Sequence, residues 1–131
     1  MTRGERNNNP LNIRHGKSQW RGMRAEQTDP AFVQFESMEM GYRAAFIVLQ
    51  TYRKRYGRRT LRQIIFRWAP PNENNSYAYL LHVCRWSGIG NPDHVVEDSE
   101  LTRIVAAMHR QENGTLANME QIERGKRLAN S

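Results

Sequence analysis

The sequence predicts a mainly helical domain with a small β element. Three observations carry that expectation. Apolar residues recur every three or four positions through most of residues 37–129, capping and stop residues bracket those stretches, and only LNIRH at 11–15 and AFVQF at 31–35 read as short strands. With 131 residues and 38% hydrophobic content, the chain is long enough for one compact domain over 1–131. No repeat, linker or low-complexity segment divides it.

Residues 4–16 read GERNNNPLNIRHG, a polar run bounded by a carboxylate and a short apolar stretch. Asparagine tolerates left-handed backbone and carries donors and acceptors together, so Asn7, Asn8 and Asn9 before Pro10 can form turns that present amides outward. Such a surface suits a ligand rich in hydroxyl and acetamido groups; the plainer alternative is a solvated N-terminal turn. Between the two short strands, KSQWRGMRAEQTDP contains Gly22 and Pro30, which predicts an irregular element.

From Ser37 the period changes. Tyr42, Ala45, Phe46, Leu49, Tyr52 and Tyr56 line one helical face, with Ser37 as N-cap and Gly57 as stop. A second helix opens at Thr60 with a Thr60/Gln63 capping box, buries Leu61, Ile64, Ile65 and Trp68, and ends at Pro70 and Pro71. A third is expected over Ser76–Trp86 through Tyr79, Leu80 and Val83, broken by GIGNPD at 88–93. A fourth spans Ser99–Gln111 on the stripe Leu101, Ile104, Val105 and Met108, and a last one covers Asn118–Ala129.

Charge is uneven along the chain. Residues 1–67 hold 14 Lys and Arg against 5 acids, whereas residues 68–131 hold 6 against 8; the halves carry +9 and −2 within the net +7. Arg53, Lys54, Arg55, Arg58, Arg59 and Arg62 straddle Gly57 as a basic patch. Its partner is an anionic polymer, such as nucleic acid, an anionic envelope polymer or peptidoglycan with its stem-peptide carboxylates, unless the patch is only a solvated face. The lone Cys84, among Leu80, Leu81 and Val83, reads as a buried, inert thiol. His15, His82, His94 and His109 lack metal-ligand spacing, so neither a metal nor a cofactor is expected. No run of eighteen apolar residues predicts membrane insertion, and the start MTRGERNNN does not read as a signal peptide. Synthesis as a soluble cytoplasmic protein is the expectation.

The fourth helix carries the sharpest chemistry. Its stripe through Ile104, Val105 and Met108 continues to Glu112, just before Asn113 and the stop at Gly114. Burial and the negative end of the helix dipole both disfavour the ionised carboxylate, which raises the pKa toward that of a general acid. The alternative is a frayed end with Glu112 paired to Arg110 or His109.

The segments GERNNNPLNIR, Trp20–Gly22, the run from Phe32 to Ala44, RWAPPNENNSYAY at 67–79 and HRQENG at 109–114 together resemble a phage and prophage family of virion structural proteins and cell-wall lysins. In that family the turn usually reads NNNPGNI, so Leu11 stands where a glycine with positive φ would sit. A more distant resemblance is to the lysozyme-like superfamily, particularly bacterial glucosaminidases and lytic transglycosylases, where a catalytic Glu closes a helix and Asn-rich, W-x-G and aromatic segments line the glycan groove. Here those pieces occur in another order. The resemblance therefore implies a circularly permuted lysozyme-like domain, with Glu112 in the acid's position and the asparagine turn folded beside it.

That resemblance implies peptidoglycan as substrate. Glu112 is the candidate acid and Glu5, between Arg3 and Arg6, the candidate ionised partner; the roles can also be reversed. A lytic transglycosylase needs only one Glu, because the sugar's own hydroxyl attacks. Asn7, Asn8, Asn9, Asn12, Glu73, Asn74 and Tyr79 are candidate sugar-binding residues, and Trp20, Trp68 and Tyr77 can stack on sugar faces, although Trp68 also fits the core stripe. Phe32, Phe35, Tyr42 and Phe46 are assigned to the core.

Three classes stay open: a glycosidase or lytic transglycosylase of phage type, a non-catalytic virion or host-interaction protein that binds wall polymer, and a nucleic-acid-binding module. The last leaves the Trp and Asn content of the N-terminus unexplained. A phage protein of either of the first two kinds reaches the wall after holin release or aboard the particle.

Overall fold

The computed structural model describes residues 1–131 and contains six α-helices: α1 (Arg3–Arg6), α2 (Met38–Arg55), α3 (Leu61–Trp68), α4 (Ser76–Ser87), α5 (Leu101–Asn113) and α6 (Met119–Ala129). A 3-10 turn at Asp98–Glu100 leads directly into α5. The expected helices are all present, with ends set by the capping chemistry. Ser37 accepts from the Met40 amide, Thr60 and Gln63 close their box, and Gly88 and Gly114 end α4 and α5 with φ of 77° and 71°. The added element is α1, one turn held by a capping box between Thr2 and Glu5.

The expected strands contract to isolated bridges. Arg14 pairs with Phe32 and Met23 with Phe35, and neither pairing extends into a ladder. The cause is visible at Asn9, whose side-chain amide replaces a neighbouring strand. Its Oδ1 accepts from the Ile13 amide at 2.9 Å, while its Nδ2 donates to the Ile13 and Val33 carbonyls at 2.9 and 2.8 Å.

One cluster of 20 buried residues joins the stripes of α2 to α6 with Leu11 of the N-terminal turn. Apolar burial of this kind is the main stabilising term in a domain of this size. Helix α2 runs through the middle and packs most extensively on α6. Their close approach depends on Gly125, where a Cβ would lie 2.6 Å from the Tyr42 Cβ. Val33, Phe35 and Ala44 form a smaller cluster, covered by Trp20 and Met23, that fastens the loop over residues 7–36 to the start of α2. Cys84 is buried at the base of α4, and burial pushes its thiol pKa up. No helix is long and apolar enough to cross a membrane.

Candidate functional site

The register of α5 carries Glu112 from the core stripe to the floor of a cleft of about 420 Å³. Asn12 Nδ2 donates to Glu112 Oε1 at 2.9 Å, and the Tyr79 hydroxyl donates to Oε2 at 2.9 Å. Burial raises the Glu112 pKa, and donors from Asn12, Tyr79 and Trp68 oppose the rise without cancelling it. The carboxyl is therefore anchored by neutral groups. Neither Arg110 nor His109 pairs with it: Arg110 lies over the Trp86 ring, and His109 is buried against Tyr42 and Thr115.

Tyr79 is 5% exposed, with its own pKa raised by burial and by the Glu112 charge. Its hydroxyl can donate to the ionised carboxylate or accept from the protonated one, so it can follow the proton. Asn12 sits at φ 55°, a left-handed conformation that asparagine tolerates, and its buried Oδ1 has no hydrogen-bond partner. Leu11, where positive φ was in question, is instead an ordinary core residue 1% exposed, and the positive φ falls on Asn8 and Asn12.

Asn113 holds the two halves of this site together. Its Nδ2 donates to the Pro10 carbonyl at 2.7 Å, and its Oδ1 accepts from the Thr2 hydroxyl at 2.6 Å. The residue beside Glu112 thus fixes the turn that supplies Asn12. Sequence reasoning passed over Asn113, whose only local sign is its place between Glu112 and the stop glycine.

The cleft walls come from five parts of the chain, one of them Phe32, which was expected in the core and is instead half-buried at the cleft with Arg3 and Arg14 over its ring. The turn contributes Asn12 and Arg14, α2 contributes Val48 and Tyr52, and α3 contributes Arg67 and Trp68; the α3–α4 connection adds Glu73 and Asn74, both exposed. Trp68 therefore lines the cleft as well as packing against the core. Tyr52, Arg14 and Arg67 were not among the expected site residues. Tyr52 lay on the core stripe, and nothing local marks Arg14 or Arg67.

Several expected residues are placed elsewhere. Glu5 does not line the cleft; it accepts from the Thr2 amide at 2.9 Å and the Thr115 hydroxyl at 3.0 Å, contacts that keep its pKa low. Asn7, Asn8 and Asn9 do not present their amides outward. Asn7 donates to Asp29 and accepts from Gln34, Asn8 donates to the Phe35 carbonyl, and Asn9 is fully buried. Asp29 in turn takes a two-pronged contact from Arg3 at 2.7 Å and is held in its ionised form by it. These asparagines build the turn, and only Asn12 reaches the carboxylate. Trp20 does not line Glu112's cleft but an adjoining recess across the Val48–Tyr52 ridge, and Tyr77 is 56% exposed on α4 outside the cleft.

The basic patch divides. Arg53 is tucked against the Val96 carbonyl and lies 3.7 Å from Asp98, and Arg62 pairs with Asp93 at 2.8 Å. Lys54, Arg55, Arg58 and Arg59 are exposed and make no ion pair. No group of three or more His, Cys, Asp or Glu side chains is gathered where a metal ion could be held.

Fold and site define a small, mainly helical domain with one anchored carboxyl on the floor of a cleft. The chain belongs to the family of Protein P5 of Pseudoalteromonas phage PM2, to which it is 38% identical over 116 residues, covering 86% of this chain and 72% of that protein. No family model matches the chain.

Proposed function

We propose that this protein cleaves the glycan strand of peptidoglycan, with Glu112 as the proton donor, in a lysozyme-like arrangement permuted along the chain. The observation that carries the reading is a carboxyl whose pKa is raised by burial, anchored by Asn12 and Tyr79 on the floor of an open cleft. A glycosidic bond breaks when its oxygen takes a proton as the C1–O bond lengthens, and a carboxyl whose pKa is raised by burial is suited to supply it. The exposed Glu73 and Asn74 offer acceptors and donors to sugar hydroxyls, and the Trp68 and Tyr52 rings offer faces for stacking.

Glu5 stands outside the cleft, so the single-carboxylate route is favoured. Glu112 gives its proton to the leaving oxygen and, as carboxylate, accepts one from the hydroxyl that attacks the anomeric carbon. That hydroxyl belongs to the sugar in a transglycosylase and to water in a hydrolase. The protein would meet the wall as a virion component or after release from the cell.

The test is turbidity loss of purified sacculi with wild type and Glu112→Gln side by side, followed by mass analysis of the fragments. Clearing by the wild type alone supports the reading, and anhydro or reducing ends separate the two chemistries. The free cations Lys54, Arg55, Arg58 and Arg59 favour a second reading, a wall-binding protein without catalysis. Wild type that pellets with sacculi but never clears them would establish it.

A further inference from the structure

Across the Val48–Tyr52 ridge of α2 from the Glu112 cleft lies a recess of about 540 Å³ that the cleavage chemistry does not use. Arg43, Ile47, Thr51 and Arg55 follow one another at four-residue spacing along α2 and form its floor, while Trp20 and Arg21 rise from the loop opposite. None of the three arginines makes an ion pair. Arg43 is half-buried, and its Nε is sealed from solvent without a hydrogen-bond partner. Burial and the neighbouring Arg21 charge both weigh against its ionised form, so positive charge has been gathered where the protein supplies no counter-charge. Val48 and Tyr52 border both this recess and the Glu112 cleft. The two spaces share one ridge.

We infer that the Arg21–Arg43–Arg55 recess binds the carboxylates of the peptidoglycan stem peptide while the glycan strand occupies the Glu112 cleft, an inference that rests on the glycan-cleaving reading above. Guanidinium groups match carboxylates in shape and charge, and a half-buried unpaired Arg gains most from such a partner. The neighbouring cleft decides against a uniformly charged polymer. It is not uniformly basic: Glu73 and Glu112 stand beside Arg14 and Arg67, so the cleft lacks the unbroken positive lining that a phosphate on every unit would select. Peptidoglycan has the required pattern, with neutral amino sugars and acidic peptides on alternate units.

The test is calorimetry with a disaccharide-pentapeptide and with the same disaccharide lacking its peptide. The wild type is expected to bind the peptide-bearing ligand at least about tenfold more tightly, equivalent to about 1.4 kcal/mol, with the preference weakening in salt. Arg43→Gln and Arg21→Gln should each remove most of that preference, and Arg21 is exposed, so its replacement does not threaten the fold. Equal affinity for the two ligands overturns the assignment, as does a preference that neither substitution changes. Binding of a DNA duplex in preference to both, lost in the same variants, overturns it in favour of nucleic acid. Sacculus clearing is read separately. A preserved preference without clearing sinks the cleavage reading and upholds the recess, whereas clearing without a preference does the reverse.

Discussion

The Tyr79 hydroxyl lies 2.9 Å from Glu112 Oε2 and joins α4 to the end of α5 through the one carboxyl on the cleft floor. As a donor it stabilises the ionised carboxylate, in opposition to burial. Tyr79→Phe removes that donor and should raise the Glu112 pKa further. A hydrogen bond to a charged group contributes about 1.5–3 kcal/mol. The alkaline limb of the glycan-cleavage profile should therefore move upward by on the order of one pH unit. An unchanged limb would detach this pair from the proton transfer.

Glu112→Gln should abolish cleavage and alter stability in a pH-dependent way. Because the folded-state pKa of Glu112 lies above the ordinary 4.5, the folded protein holds this proton after the unfolded chain has lost it. Stability falls as pH rises from the unfolded value through the folded one, by at most about 1.4 kcal/mol per pH unit. The glutamine variant lacks that loss, so its stability relative to wild type should improve between pH 4 and pH 8. Urea midpoints at several pH values measure the difference.

His109 has the opposite sign. Burial holds its pKa below 6.5, with the Glu5 charge opposing weakly, while its ring nitrogens meet the Tyr42 hydroxyl at 2.8 Å and the Thr115 hydroxyl at 3.0 Å. The unfolded chain takes up this proton first as pH falls. Stability is therefore fully present above 6.5 and lost below it until the folded pKa is passed. His109→Gln should flatten the slope between pH 7 and pH 5, whatever it costs in packing.

Glu5 separates a structural carboxylate from a catalytic one. Gln serves a capping box as well as Glu does, so Glu5→Gln should clear sacculi within about twofold of wild type. Glu5→Ala, which also removes the Thr2 and Thr115 contacts, should cost about 1 kcal/mol of stability. Loss of clearing in a fully folded Glu5→Gln protein would restore Glu5 to the mechanism.

Asn113→Ala removes the donor to Pro10 and the acceptor for Thr2 in a residue only 8% exposed. The Pro10 carbonyl then loses its partner, at about 1–3 kcal/mol, whereas the Thr2 hydroxyl can still donate to Glu5 Oε1 at 3.1 Å. If Asn113 positions Asn12, the cleavage rate should fall more than sacculus affinity. Equal losses in both would reduce Asn113 to a structural role.

The helices were legible because their instructions are local. Ser37, Thr60 with Gln63, Gly88 and Gly114 act within a turn of their own positions, and counting the stripe from Ile104 was enough to place Glu112 at the end of α5. The strands were misread because the short runs at 11–15 and 31–35 do not reveal that Asn9 supplies the competing hydrogen bonds. The asparagine run was misread for a related reason. Its partners, Asp29, Gln34, Val33 and Phe35, lie more than twenty residues away, so a turn built inward looks on paper like one built outward. Arg43 escaped notice because the sequence shows charge but not its lack of a counter-charge.

Asn12 and Glu112 are separated by 100 residues, and the α6 helix that covers α2 comes later still. Closing so long a loop is slow compared with forming a helix. On a ribosome, a nascent chain has its early helices well before residue 112 emerges, yet until then it contains no assembled carboxyl site. The order of the parts acts as a timer, so that the site is completed only after residue 112 has emerged.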